Sequence, residues 1–471
     1  MNLREYFTKE LGYALPPEEF YGHIAGWDNW YRGDVASFHR YRVYNGVSHV
    51  PMKRATLNMA KKVCEDWANM LMNERLHINI SDETTRDFVI GVLDDNNWWV
   101  RGNEAQELKA ALGTVAYIPY VEGAEFDAES GTASGGKIRI DSVAADCIYP
   151  LSWSRGEITE CAFVSRQGRG KEKYYYAQLF TLDDEGYYEL RNVLLAHEKG
   201  AIKEAPLSAL REFAHLPERV ALGSKRRPFI IDRLNIANNI SRGCPLGVSI
   251  FANAIDALKG IDLVYDSYNN EFILGKKRIM ANYQALKMGG KEQLIFDTND
   301  TVFYQLPDDI SSESFIKEID MKLRSEEHEK ALQNRLMLLS AKCGLGNSYY
   351  RLEPSQAVTA TQVISENSEL YKTLRKHEIL LREAIVSLSR RIIELGIGVL
   401  GLSLDSDCLI SVDFDDSIVE DKAQIKQQAQ TEYRMGLIDE AEYFSRAYNM
   451  PEQMAVEHVR KMKERKREQA G

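Results

Sequence analysis

The chain has 471 residues and only six cysteines: Cys64, Cys147, Cys161, Cys244, Cys343 and Cys408. No two are close enough to form a CxxC pair, which excludes a thioredoxin-like motif and the short-spaced zinc patterns. Buried, reduced thiols are the expectation. The chain is also short of base, with 59 Lys and Arg against 70 Asp and Glu and a net charge of −11. Gripping a nucleic acid takes clustered cations that displace counterions from phosphates, so this balance argues against a tight DNA binder. Long apolar runs are missing. The start, MNLREYFTKELGYALPPEEF, has no signal-type apolar core, and the longest run, 392–404, is broken by glycines and Glu394. It is too short to span a bilayer, so a cytoplasmic protein without a membrane segment is expected. GxxxxGK[ST] does not occur, which excludes a P-loop motor, and neither does GxSxG. His328-Glu329 and His377-Glu378 lack the second His of HExxH.

What is present is texture. With 44% apolar and 27% charged residues the chain can bury a large core, and its length suggests roughly two to four structural units. Residues 3–112 read as helical and rich in Trp and Tyr. Within them 58–73 places Met59, Val63, Trp67, Met70 and Leu71 on one face. Residues 113–231 alternate as strands (KIRIDSV, ITECAFVSR, KYYYAQLFTL, YYELRNVLL) and predict an antiparallel sheet, with EFDAESGTASGG (125–136) as a mobile loop.

From 249 to 274 a stripe of Phe251, Ala254, Leu258, Ile261, Tyr265, Tyr268 and Phe272 predicts a helix roughly 40 Å long that wants a neighbouring helix. The basic step Lys276-Lys277-Arg278 and the β-like runs KRIMAN, QLIFD and TVFYQLP follow, then a helix over 324–341. Gly344 and Gly346 end it, and GLGNSYYRLEPSQ (344–356) cannot be regular. A helix over 357–395 comes next, with Tyr371, Leu374, Leu381, Ile385, Leu388, Ile392 and Leu395 as its seam, broken at Glu378. The chain then turns acidic and ends helical and charged.

The chemistry-bearing patterns each have a plainer reading. Gly396-Ile397-Gly398-Val399-Leu400-Gly401 matches GxGxxG, but a dinucleotide fingerprint follows a strand and opens a helix. Here it follows a helix and reads as a stop. Asp405, Asp407, Asp413, Asp415, Asp416, Glu420 and Asp421 lack calcium-loop spacing and read as solvated surface, with Asp415, Asp416 and Ser417 capping a helix that starts near Ile418. The basic tail 460–467 reads as a helix end offsetting its dipole. No enzyme and no cofactor is expected.

Several segments carry a resemblance, in a fixed order. They are Trp27-Asp28-Asn29-Trp30-Tyr31-Arg32-Gly33, KKVCEDWANMLMNE (61–74), FDTNDTVF (296–303), IKEI (316–319) and VDFDDSI (412–418). The most specific is TATQVISENS (359–368), extended by Leu370-Tyr371 and Lys376-His377-Glu378. Through these the chain resembles the portal proteins of long-tailed phages that infect Gram-positive bacteria. Gln362 stands where Glu is commoner, and the last 45 residues match only in being helical and charged.

The resemblance implies an α+β portal fold with an α/β wing (1–248), a descending stem helix (249–275) and a small β-containing clip (276–310). A returning strand and stem helix (311–341), a tunnel loop (342–356), a long wing helix (357–396) and a helical crown (397–471) complete it. It implies a homo-oligomeric ring of about twelve copies, at one capsid vertex, that passes double-stranded DNA during packaging and ejection. Its partners would be the terminase large subunit, the major capsid and scaffold proteins, and head–tail adaptors, in the host cytoplasm during assembly and then in the virion. Lys342, Asn347, Tyr349, Tyr350 and Arg351 would face DNA, and Lys276, Lys277 and Arg278 would serve motor docking. A non-portal adaptor or scaffold-like oligomer is the alternative, although adaptors are usually much shorter and lack the loop between two long helices.

Overall fold

The apolar stripes become helices α1 (Met59–Leu71), α2 (Trp98–Leu112), α3 (Ile255–Leu274), α4 (Ser325–Lys342) and α5 (Ala360–Gly398). These come from a computed structural model, which describes residues 2–44, 47–72, 76–127, 132–168, 173–198, 201–274, 278–282, 303–306, 316–319, 322–351, 360–414, 422–448 and 450–470. Helix α1 buries Val63, Trp67 and Leu71, four residues apart, so one stripe enters the core. Helix α2 packs along it through buried Ala105, Ala110 and Ala111, small enough for close approach. Helix α5 crosses α1 and strand Ile230–Arg233 with Leu381, Ile385, Leu388 and Ile392 buried. Glu378 interrupts that seam yet is itself buried, with Arg375 3.6 Å away.

The strands between α2 and α3 form antiparallel sheets, as expected. Ile148–Ser154, Glu157–Gln167, Tyr174–Leu182, Tyr188–Glu198 and Ala201–Ala205 pair in sequence order, and Arg219–Ala221 pairs with Tyr188–Glu198. Short turns hold neighbours in sequence as neighbours in space; Gly186, at φ +81°, supplies the conformation one of them needs. A second sheet centres on Thr114–Glu122, between Lys137–Ala144 and Ile230–Arg233. Helices α3 and α4 run antiparallel. Gly260 faces Arg335, and Glu271 accepts from Arg324 Nε at 2.9 Å and bonds His328. Between them Arg278–Asn282 pairs parallel with Phe303–Leu306 and antiparallel with Ile316–Ile319.

Several expectations change. The helix begins at Ile255, not 249, because the preceding chain is pinned to the end of α2. Ile250 N–H and the Ser249 hydroxyl both donate to the Ala110 carbonyl, and Gly247 lies against the Gly113 carbonyl so closely that no Cβ would fit. The segment 125–136 is not a plain loop: Glu125–Asp127 pairs with Thr132–Ser134. The GxGxxG stretch does not stop the helix at its first glycine. Gly396 lies inside α5, where a Cβ would meet Phe88 at 2.7 Å, and the turn comes at Gly401, φ +66°. Residues 415–421, with the expected helix start near Ile418, lie outside the described residues; the next helix is Lys422–Arg434. Strand Ile410–Asp413, part of the stretch read as merely acidic, pairs with His77–Ile80. All six cysteines are free thiols, and five are buried. Among the described residues no helix is long and apolar enough to cross a membrane, and no group of three or more His, Cys, Asp or Glu side chains is placed to hold a metal ion.

Candidate functional site

The turn after α4 is tightly constrained by its own backbone and by its neighbours. Gly344 and Gly346 sit at φ +76° and +79°, the left-handed region that ends a helix. The turn is seated on α1. Trp67 Nε1 donates to the Cys343 carbonyl at 3.0 Å, and the Tyr350 hydroxyl donates to Asp66 Oδ2 at 2.7 Å, while Lys62 holds the other Asp66 oxygen. Burial and the Asp66 carboxylate push the Tyr350 phenol far above its ordinary range. The seat also touches α5: a Cβ on Gly344 would fall 2.6 Å from the Thr373 methyl. Cys343 and Leu345 are buried beneath, and burial raises the Cys343 thiol to about 12.

The five residues expected along this loop therefore divide. Asn347, Tyr349 and Arg351 are exposed. Tyr349 packs edge-on against Tyr350 with ring centroids 5.0 Å apart, and burial of the rest of its ring raises its phenol to about 12. Lys342 is exposed and its ammonium reaches back to the Asn253 carbonyl at 3.1 Å. Tyr350 alone turns inward. Lys276 and Lys277 lie outside the described residues, as does the side chain of Arg278, whose backbone opens strand Arg278–Asn282.

Of the groups that fix this seat, the sequence brought out only His377, as half of an incomplete HExxH and within the family-like run, and not Lys109, Gln106 or Asp232. His377, on α5, is 1% exposed and meets Trp67 edge to face at 5.1 Å. Its Nδ1 accepts from the Asn235 N–H at 3.2 Å. Burial, with Lys109 and Lys376 nearby, lowers it to about 3, so it is neutral. Lys109 is wholly buried and lies 3.0 Å from both oxygens of Asp232, which is equally buried. Gln106 donates to Asp232 and to the Tyr117 hydroxyl, each at 2.8 Å. Burial pulls the Lys109 ammonium down, opposed by Asp232. The signal available in the sequence was a lysine and a glutamine within the alanine-rich face of α2.

Helix α3 is anchored through two acids. His39 Nδ1 accepts from Val35 N–H, which leaves its Nε2–H to donate to Asp262 Oδ2 at 3.0 Å; Thr56 Oγ1 and Leu57 N–H also donate to Asp262. Asp266 accepts from Ala55 N–H at 2.9 Å. These bonds do positional rather than covalent chemistry. They lock α3, α4, the turn and α5 into one frame and leave Lys342, Asn347, Tyr349 and Arg351 on its outside.

The family model described as "Phage portal protein, SPP1 Gp6-like" matches residues 17–471. Among curated proteins nothing matches.

Proposed function

Because the chain belongs to the SPP1 Gp6-like family of phage portal proteins, we propose that α3 and α4 are the stem of a ring channel for double-stranded DNA and that 342–356 is its tunnel loop. The protein is a phage portal protein, a structural component of the capsid that forms an oligomeric ring and works on DNA during packaging. The observation that carries the reading is the reach of the family pattern over nearly the whole chain.

In the finer reading about twelve copies close a ring by cyclic symmetry. Residues 1–248 and 357–396 form the wing, 249–275 and 311–341 the stem strand and helices, 276–310 the clip and 397–471 the crown. The antiparallel α3–α4 pair, interrupted by a small β excursion, supports the stem and clip. The clip, with Lys276, Lys277 and Arg278, docks the terminase large subunit during filling and head–tail adaptors afterwards, while the wing meets major capsid and scaffold proteins. The phage is of the long-tailed type with a Gram-positive host, and assembly takes place in the host cytoplasm.

The mechanism is that of a conduit. Copies of −11 each sum to roughly −130 in a ring of about twelve. Such a wall repels phosphates, and every phosphate it neutralised would add affinity that a motor has to break. The tunnel loop needs only light contacts. Lys342, Asn347, Tyr349 and Arg351 supply them, with Tyr350 as the tether that holds the loop to Asp66.

Negative-stain microscopy of the purified chain should show rings with a central hole; dispersed particles under all conditions would count against the reading. Lys342→Ala with Arg351→Ala should still form rings but alter DNA retention or packaging. Unchanged packaging would remove these residues from the channel.

A further inference from the structure

From Val35 to Cys64 the chain has six cations, Arg40, Arg42, Lys53, Arg54, Lys61 and Lys62, and no acid, although its net charge is −11. The centre of this segment is a hairpin of strands β1 (Arg40–Tyr44) and β2 (His49–Lys53). Its register sets Arg40 opposite Lys53, Arg42 opposite Pro51 and Tyr44 opposite His49, and alternation brings these to one face. Tyr41 opposite Met52 and Val43 opposite Val50 make the other. Like charges directly across a strand pair destabilise it, so Arg40 and Lys53 want an anion. Asp34 serves Arg40, but Arg42 and Lys53 are exposed and form no salt bridge among the described residues.

The other face is open as well: Val43 is 44%, Val50 37% and Met52 38% exposed. A two-stranded ribbon with both faces in water is marginal. Its base nonetheless is firmly held. Arg54 lies over the rings of Phe38 and Tyr41, at 4.2 and 4.9 Å, and Ala55 is bonded to Asp266 on α3. The hairpin is a projecting arm with a rigid root, cationic on one side and apolar on the other.

DNA would use the cations and leave the apolar side in water. A second copy of this chain offers both: exposed acids, and the exposed apolar side chains of Phe272, Ile273 and Leu323 at the same end of the helix pair. The exposed carboxylates Glu326, Glu327 and Glu329 open α4, whose His328 is bonded to Glu271 of α3. Glu271 lies five residues beyond the hairpin's anchor at Asp266, about 8 Å along the helix. In a ring whose axis runs parallel to the α3–α4 pair, rotation preserves height and sets these acids within about 8 Å of the level of the next copy's hairpin root.

We propose that the β1–β2 hairpin is the latch between neighbouring subunits. Its Arg42 and Lys53 meet Glu326, Glu327 and Glu329 of the next copy, and the same contact removes Val43, Val50 and Met52 from water. The contact is heterologous, the kind that closes a ring when the rotation closes. It rests on the portal reading.

The test uses the full chain, scored for rings by negative stain and native mass spectrometry at about 0.15 M salt. Arg42→Glu with Lys53→Glu should cut the ring fraction roughly tenfold or more while the far-ultraviolet spectrum and unfolding midpoint stay as in the wild type. Adding Glu326→Lys, Glu327→Lys and Glu329→Lys to that same chain should restore rings. Val43→Ser with Val50→Ser should weaken rings without any charge change. Rings as abundant in the charge-reversed chain as in the wild type overturn the latch, and so does failure of the acid-to-lysine swap to rescue. Intact rings that lose duplex DNA would make the hairpin a DNA contact instead. Absence of rings from the wild type itself fails the portal reading, a different result from loss of rings in the variants alone.

Discussion

Lys109 and Asp232 place a full pair of charges where no water reaches, and Gln106 and Tyr117 complete the hydrogen bonding. Desolvation of such a pair offsets most of its attraction, so its value lies in the penalty for breaking it. Lys109→Met leaves Asp232 buried and unpaired, and urea unfolding should show a loss of about 3–5 kcal/mol. Asp232→Asn in the same chain should recover part of it. His377 gives a pH signature. Its unfolded-state pKa is near 6.5 and its folded value about 3, so between these the unfolded chain binds the extra proton. The stability it contributes is fully present above about 6.5 and falls as pH drops towards 3, by about 1.4 kcal/mol per unit. His377→Gln should flatten that part of a plot of unfolding midpoint against pH; an unchanged slope would exonerate His377.

At the scale of elements, the turn after α4 is held by backbone shape as much as by bonds. Gly344→Ala forces a side chain into φ +76° and towards the Thr373 methyl. A stability loss of about 1–3 kcal/mol is expected. Thr373→Ser alongside it should relieve the contact but not the backbone strain, so recovery should be partial. The helix pair makes a separate prediction. If the excursion between α3 and α4 is the docking clip, deletion of 280–300 should abolish capture of the packaging ATPase while rings persist. Capture that survives the deletion would move the docking surface elsewhere.

For the molecule as a whole, charge is the controlling quantity. If the ring conducts DNA by not holding it, purified rings should not retard linear duplex in a gel shift at about 0.15 M salt. Tight binding there would contradict a repulsive wall. The same acidity makes an acid-free basic segment such as 35–64 stand out as a surface with a partner.

Local periodicity made much of this legible in the sequence. The stripes of α1, α3 and α5, the alternating strands of 137–198 and the glycines after α4 are short-range patterns, and each element formed close to its expected place. The order of signature segments was enough to point to the family. What the sequence could not encode locally was who meets whom. Tyr349 and Tyr350 are adjacent and chemically alike, yet one is exposed and the other bonded to Asp66, 284 residues away. His77–Ile80 finds its partner strand at Ile410–Asp413, and Lys109 finds Asp232. Those pairings depend on how helices and sheets stack in space, because a buried charge or strand edge is stable only opposite a partner that packing delivers. The elements and the family were therefore set by the sequence alone, while the inward tether of the turn after α4 and the frame that holds it were decided by the tertiary structure.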